Sequence, residues 1–348
     1  MRRPVRLLTA VPICDGHDSA INTLNIEFIR HGIEVVYLGF HRSASDIARA
    51  AVQEGVAAVG ISSYNGGHIE FFHDVRKDLD RRGGARIGLF GGGGGTISRA
   101  DARRMRRQGT DEIFFAGTPL ETIVVSVMKN YGGPRSRPPA KSTRRKSSAP
   151  VVGFTGPGGS GKTTLIDEIV LRFLKTRPRG RIAVLSHDPS MMGGGALLGD
   201  RAMMIHSQHD RVFMRSLATG GQAGGLSPET EPWLRSLHHQ DFELILVETV
   251  GAGQEAMPFR DGLFDRKILV MPPDYGSRLQ LQKVVMLGAA DIVVVNKSDQ
   301  PRAKAAQAEI GQRLSENGSG QKLVCTEARR HRDGGVDELF QLLAEVGR

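Results

Sequence analysis

"GPGGSGKTT", Gly156 to Thr164, stands between a β-branched run, "VVGFT" (Val151 to Thr155), and a run with helical spacing, "LIDEIVLRFLKT". It matches G-x-x-x-x-G-K-[ST], and the strand-to-helix setting is the one in which that pattern has a mechanism. Backbone N–H groups from Gly158, Gly159, Ser160, Gly161 and Lys162 can cradle phosphates. The Lys162 ammonium can reach the outer phosphate oxygens, and Thr163, followed by Thr164, can offer a hydroxyl to Mg²⁺. A glycine-rich turn with an incidental lysine is the alternative, and the flanking strand and helix count against it. The reading therefore begins with a P-loop nucleotide-binding module of parallel strands.

Downstream, "RIAVLSHD", "ELILVET", "KILVMPPD", "ADIVVVNK" and "KLVCTE" are further strand candidates separated by helical stretches. Two acids end strands, Asp188 in "LSHDPS" and Glu248 in "VETVGAGQ"; each is placed to hold Mg²⁺ or its waters, or else to cap a helix. Gly251 in the same "ETVG" segment stands where nucleotide hydrolases sense the terminal phosphate. "NKSD" brings Asn296, Lys297 and Asp299 to the end of a strand. The Asp299 carboxylate can accept from the ring N–H and exocyclic amine of guanine, whereas adenine would leave it unpaired at a cost of about 2 to 3 kcal/mol. GTP is the expected nucleotide. "MMGGGALLGDR" and "TGGQAGGL" read as mobile glycine-rich loops.

Upstream, "VRLLTAV", "EVVYLG", "AAVGISS", "RIGLFGG" and "EIFFAG" alternate with amphipathic stretches, which predicts a second parallel sheet, five-stranded, with helices on both faces. Residues 132–150 lose this periodicity and read as a basic, Pro/Ser-rich tether. The expected division is 1–131, linker 132–150, and 151–348. A chain of 348 residues accommodates two such modules. Much of the formal net charge of +10 lies in the tether, at Arg135, Arg137, Lys141, Arg144, Arg145 and Lys146, so a nucleic-acid partner is not expected. Two cysteines, no signal peptide and no long apolar run predict a reduced, cytoplasmic protein without a membrane span.

In an open α/β sheet a ligand sits at the carboxyl ends of the strands where strand order reverses. The unusual loops of the first module fall there: "DGHDS" after the first strand, "SSYNGG" after the third and "GGGGG" after the fourth. Asp15 is two residues before His17, within reach of one ring N–H, which leaves the other nitrogen for a metal. A lone histidine suits a macrocycle whose equatorial positions are already filled. The alternative is a flavodoxin-like or response-regulator-like domain whose loop histidine caps the next helix. Cys14 reads as a buried filler, and His68, His187 and His238 as ordinary loop or surface residues.

"GPGGSGKTT", "HDPS", "GGALLGDR", "RSLAT", "VETVGAGQ" and "NKSD" resemble, in this order, the G-protein chaperones of methylmalonyl-CoA mutase and the GTPase domain of fused isobutyryl-CoA mutases. The resemblance implies a GTPase acting as a homodimer through that domain, with Asp188, Asp200 and Glu248 joining Lys162 around the phosphates and Mg²⁺. It also implies a switch in "PPDYGSRLQLQKVV". "CTEARRHRDGG" departs from the family's serine-alanine turn beneath the guanine. "DGHDSA", "SSY" and "FGGGG" likewise resemble the D-x-H-x-x-G cobalamin-binding modules, with Ala20 in place of the closing glycine. That resemblance implies adenosylcobalamin bound base-off, histidine-on, with cobalt on His17 and Asp15 orienting it. Gly16, Asp18 and Ala20 would lie around the cofactor, Ser62, Tyr64, Gly91 and Gly92 along the slot for its dimethylbenzimidazole tail, and Gly117 and Thr118 nearby.

The fold class expected is thus α/β throughout: a flavodoxin-like (βα)5 cobalamin-binding domain followed by a P-loop GTPase domain. The function expected is a GTP-hydrolysing metallochaperone that gates cofactor loading and protection. Isomerisation would need a separate large acyl-CoA mutase subunit, and an adenosyltransferase is a candidate partner. Two rivals are a corrinoid methyl-transfer protein and a GTP-dependent signalling module with a vestigial cofactor domain.

Overall fold

The computed structural model describes residues 4–13, 15–132, 149–191, 194–222, 225–251, 262–276, 285–318 and 320–345. Most of the tether, Cys14 and much of "PPDYGSRLQLQKVV" lie outside them. The chain divides into two compact units, one of Met1–Arg137 with Asp188–Ala202, the other of Pro138–His187 with Met203–Arg348.

In the first unit, strands β1 (Arg6–Ala10), β2 (Glu34–Tyr37), β3 (Ala58–Ser62), β4 (Gly88–Gly92) and β5 (Glu112–Phe114) alternate with helices α1 (Ser19–Arg30), α2 (Ala44–Glu54), α3 (His68–Arg81), α4 (Arg99–Arg107) and α5 (Leu120–Tyr131). β1 and β3 are buried at every position, as strands covered by helices on both faces must be. Helix α1 buries Ile21, Asn25, Phe28 and Ile29, a stripe at helical spacing, and presses Phe28 edge-on to Phe90 of β4. Ser43 caps α2 by accepting the Asp46 N–H, and Ser98 and Asp101 form a capping box on α4.

The sheet order is β5-β4-β3-β1-β2-β8, all pairs parallel, so the order reverses between β1 and β3 as predicted. The sixth strand was not predicted. β8 (Ala196–Leu198) comes from "GGALLGDR", expected to be a mobile loop, and pairs with β2. Helix α7 (Asp200–Met203) follows. The reason is a buried ion network. Arg6 bonds Glu34 and Glu54, and Arg201, fully buried, meets the other oxygen of Glu54 at 3.2 Å and Gln53 at 2.6 Å. Arg42 adds a bond to the Ala202 carbonyl at 3.1 Å. Buried charges in this setting are tolerable only when every member is paired.

The second unit holds β6 (Val151–Thr155), α6 (Lys162–Thr176), β7 (Ile182–Asp188), β9 (Val212–Ala218), α8 (Thr230–Leu237), β10 (Leu244–Glu248), β11 (Arg266–Met271), β12 (Ile292–Asn296), α9 (Ala303–Asn317), β13 (Lys322–Thr326) and α10 (Gly334–Ala344). Its sheet runs β13-β12-β11-β6-β10-β7-β9. Leu165, Ile169 and Phe173 of α6 pack over Val152, Phe154 and Leu246, each buried side chain contributing about 1.5 to 3 kcal/mol. Among the described residues no helix is long and apolar enough to cross a membrane.

Replacement of Glu54 by alanine leaves the Arg201 and Arg6 guanidiniums buried without their shared carboxylate. Denaturant titration is expected to show a loss of about 3 to 5 kcal/mol; a loss under about 1 kcal/mol would mean that this network does not hold β8 in place.

Candidate functional site

The first unit gathers its unusual loops at the carboxyl ends of β1, β3, β4 and β5. Asp15 is buried, and its carboxylate is the knot of the loop after β1. Oδ1 accepts the His17 main-chain N–H at 3.0 Å and the ring Nδ1–H at 2.9 Å; Oδ2 accepts the N–H of Tyr64. Burial pushes the Asp15 carboxyl up, but the donors from Tyr64 and His17 outweigh it and hold the group below the usual carboxylate range. It stays ionised at neutral pH and orients the imidazole. The His17 side chain is 76% exposed, and no described hydrogen bond occupies Nε2, so that nitrogen is free to coordinate. The Tyr64 ring lies 5.4 Å from the imidazole, centre to centre.

Beside these loops lies a cavity of about 310 Å³. Ser62, Tyr64, Gly91 and Gly92 line it, together with Ala20 and Gly117. A side chain at Gly91 would meet the Ile61 carbonyl at 2.4 Å and the Phe72 ring at 2.5 Å, so glycine keeps β4 tight against β3 and α3. The apolar walls were not anticipated: Leu24 of α1, Phe90, Phe115, Leu120 and Ile123. Phe115, the residue after β5, is exposed. Asp18 is drawn to the scaffold, accepting from Asn22 at 3.0 Å and from Tyr37 at 3.3 Å. Burial, then the Asp18 charge, push the Tyr37 phenol up to about 12. Thr118 bonds the Phe115 carbonyl at 2.7 Å and does not line the cavity, and Gly16 is exposed. An apolar slot with one outward imidazole nitrogen at its loops fits a large flat macrocycle with a tail.

The second unit places the phosphate loop between β6 and α6. Lys162 is buried and donates to the carbonyls of Gly156 and Pro157 at 2.9 and 3.2 Å. Thr163 donates its hydroxyl to Glu248 Oε1 at 2.7 Å, and Ser186 lies 3.4 Å from Oε2. The expected hydroxyl and carboxylate are therefore together at the ends of β10 and α6. Asp188 ends β7, beside β10. Asp200 opens α7, on the segment that packs with the first unit. Among the described residues no group of three or more His, Cys, Asp or Glu forms a metal cage. Mg²⁺ needs none, because it is usually held by one or two carboxylates and by substrate phosphates. A side chain at Gly251 would strike Gly158 Cα at 2.8 Å, so "ETVG" rests directly on the phosphate loop. The "AGQ" that follows lies outside the described residues.

Asn296 is a brace at the end of β12. It donates to the Ser160 carbonyl at 2.8 Å and accepts from Thr326 Oγ1 and the Ala328 N–H at 3.0 and 3.1 Å. Behind it a cavity of about 240 Å³ is lined by Gly161, Thr164, Lys297 and Asp299, with Ala328 and Arg329 from the departing "TEARR" turn. Arg329 bonds Asp299 Oδ2 at 2.7 Å across an exposed edge. One expectation is overturned: His68 and His187 are buried, not surface residues, and His187 bonds the Glu248 main chain. An isolated polar residue near a strand end gave no hint of its partners.

Comparison with known proteins bears on both units. A family model described as methylmalonyl Co-A mutase-associated GTPase MeaB matches residues 140–345, and one for the B12 binding domain matches 5–124. The chain is 34% identical to a fused isobutyryl-CoA mutase of Cupriavidus metallidurans over 97% of its own length and 35% of that protein's, and 32% identical to one of Geobacillus kaustophilus over 98% and 36%. A mouse methylmalonic aciduria type A homolog is 37% identical over 42% of this chain and 35% of its own. The chain thus spans about a third of the fused mutases it matches. It joins a B12 binding domain to a P-loop GTPase domain, and it belongs to the MeaB family of methylmalonyl-CoA mutase-associated GTPases.

Proposed function

We propose that this chain binds adenosylcobalamin base-off, histidine-on in its first unit and uses GTP hydrolysis in its second to gate loading and protection of that cofactor. Its client is a separate large subunit of an acyl-CoA mutase of the isobutyryl-CoA or methylmalonyl-CoA type. The observation that carries the reading is the Asp15–His17 pair, which leaves one imidazole nitrogen outward beside an apolar cavity of about 310 Å³. Held cobalamin supplies a cobalt–carbon bond for radical chemistry elsewhere. Within this chain His17 holds the cobalt, Asp15 fixes the ring, and the glycine-lined cleft takes the nucleotide tail.

In the second unit, Lys162 exchanges its two loop carbonyls for phosphate oxygens when GTP enters. Thr163, Asp188 and Glu248 would hold Mg²⁺, which neutralises phosphate charge. Charge then accumulates on the bridging oxygen as the bond to the outer phosphoryl group breaks, and the loop N–H groups and Lys162 stabilise it. Water takes up the phosphoryl group, leaving GDP and phosphate. Homodimerisation through the GTPase domain and service by an adenosyltransferase belong to the same reading.

Two variants separate the halves. His17→Ala is expected to abolish the base-off, histidine-on spectrum on mixing with adenosylcobalamin while GTP turnover stays within about 3-fold, and Lys162→Ala to do the reverse, at a cost of about 100-fold or more in turnover. Equal loss of both activities in either variant would contradict two separate sites. For the nucleobase, Asp299→Ala removes the acceptor for two guanine donors. The KM for GTP is expected to rise roughly 30- to 150-fold, the equivalent of about 2 to 3 kcal/mol, with little change for ATP; a parallel rise for both nucleotides would deny Asp299 that role. The exposed Arg329 pair, worth at most about 1 kcal/mol, does not prevent this exchange.

A further inference from the structure

His187 is the second-last residue of β7 and is 2% exposed. Its Nδ1 lies 2.7 Å from the main-chain oxygen of Glu248, and its Nε2 lies 2.7 Å from Thr230 Oγ1 in the first turn of α8. A carbonyl only accepts, so Nδ1 carries the hydrogen. With Nδ1 protonated, Nε2 is the ring's acceptor and faces the Thr230 hydroxyl. The one hydrogen of that hydroxyl is within reach of two acceptors, Nε2 and the Ser227 carbonyl, each at 2.7 Å, and the carbonyl also accepts the Thr230 N–H at 3.0 Å. The imidazole is therefore a two-ended brace between the peptide after Glu248 and the start of α8.

What it braces is the turn out of β10. Glu248 Oε1 takes the Thr163 hydroxyl. The next residue, Thr249, donates its N–H to the Phe154 carbonyl at 2.9 Å and its hydroxyl to Thr155 Oγ1 at 2.9 Å. Val250 donates to the Gly225 carbonyl at 3.0 Å, and Gly251 presses on the phosphate loop. The direction of the Glu248 carbonyl and that of its carboxylate are set by one backbone, so a side chain that fixes the first constrains the second.

We propose that His187 is a positioning residue for the GTPase centre: by holding the Glu248 carbonyl to Thr230, it sets the point at which the Glu248 carboxylate meets Thr163. This rests on the reading that Glu248 and Thr163 face Mg²⁺ and the nucleotide. It assigns a role to a side chain that contacts neither.

The test uses the full chain. Two readouts are taken: steady-state GTP hydrolysis, and the Mg²⁺ dependence of fluorescent-GDP binding, which needs no turnover. His187→Leu is expected to lower kcat about 10- to 100-fold with KM within about 3-fold, and to raise the Mg²⁺ concentration for half-maximal GDP affinity about 10-fold. His187→Gln, whose amide can both donate and accept, should recover a large part of both. Thr230→Val, nearly the same shape without the hydroxyl, should shift both in the same direction by about 3- to 10-fold, and it carries the test if the leucine variant does not fold. Lowered thermal stability with unchanged kcat and Mg²⁺ dependence, or equal behaviour of leucine and glutamine variants, would overturn the proposal. Glu248→Gln serves as the control. If it leaves turnover and Mg²⁺ dependence intact, the underlying reading fails; if it abolishes both while the His187 and Thr230 variants match wild type, only the proposal for His187 fails.

Discussion

The cofactor half depends on one buried carboxylate. Asp15 collects three donors: the main-chain N–H of His17, its ring N–H, and the main-chain N–H of Tyr64. The first two set the direction of an otherwise exposed imidazole, and the third joins the loop after β1 to the loop after β3. Those loops flank the reversal of strand order, where an open α/β sheet leaves room for a ligand. Because the donors keep the carboxylate ionised, their contribution is present above the range in which a free aspartate titrates and is lost as pH falls through the lowered pKa.

The nucleotide half uses the same device at another strand end. Glu248 lies at the carboxyl end of β10 and accepts the Thr163 hydroxyl from the first turn of α6. Asn296, at the end of β12, performs the equivalent service there, joining the Ser160 carbonyl to the Ala328 N–H. In each case a buried polar group at the end of a parallel strand fixes loops that are otherwise rich in glycine. Burial makes such groups costly to leave unpaired, which is why they hold their loops in one arrangement.

Much of this was legible in the sequence because parallel strands covered on both faces read as unbroken apolar runs, and because the phosphate loop lies between one such run and an amphipathic helix. The Asp15–His17 spacing likewise announced a local hydrogen bond. What escaped was non-local. β8 is only Ala196–Leu198, flanked by glycines, and it becomes a strand because Arg201 finds Glu54 about 150 residues away in sequence. The chain leaves the second unit after His187 and returns at Met203, a crossing that no periodicity records. His187 was misread for the same reason: its partners, Thr230 and the Glu248 carbonyl, are far along the chain, and a single histidine in "LSHD" carries no pattern.

The central claim, that the imidazole fixed by Asp15 becomes the axial ligand of cobalt, is tested most directly by electron paramagnetic resonance. The full chain would be prepared with ¹⁴N- or ¹⁵N-labelled histidine and loaded with unlabelled cob(II)alamin. The account predicts that the axial-nitrogen splitting changes from a triplet to a doublet on ¹⁵N labelling and disappears in His17→Ala. A triplet unaffected by the label would show the cofactor's own base still on cobalt and would contradict it.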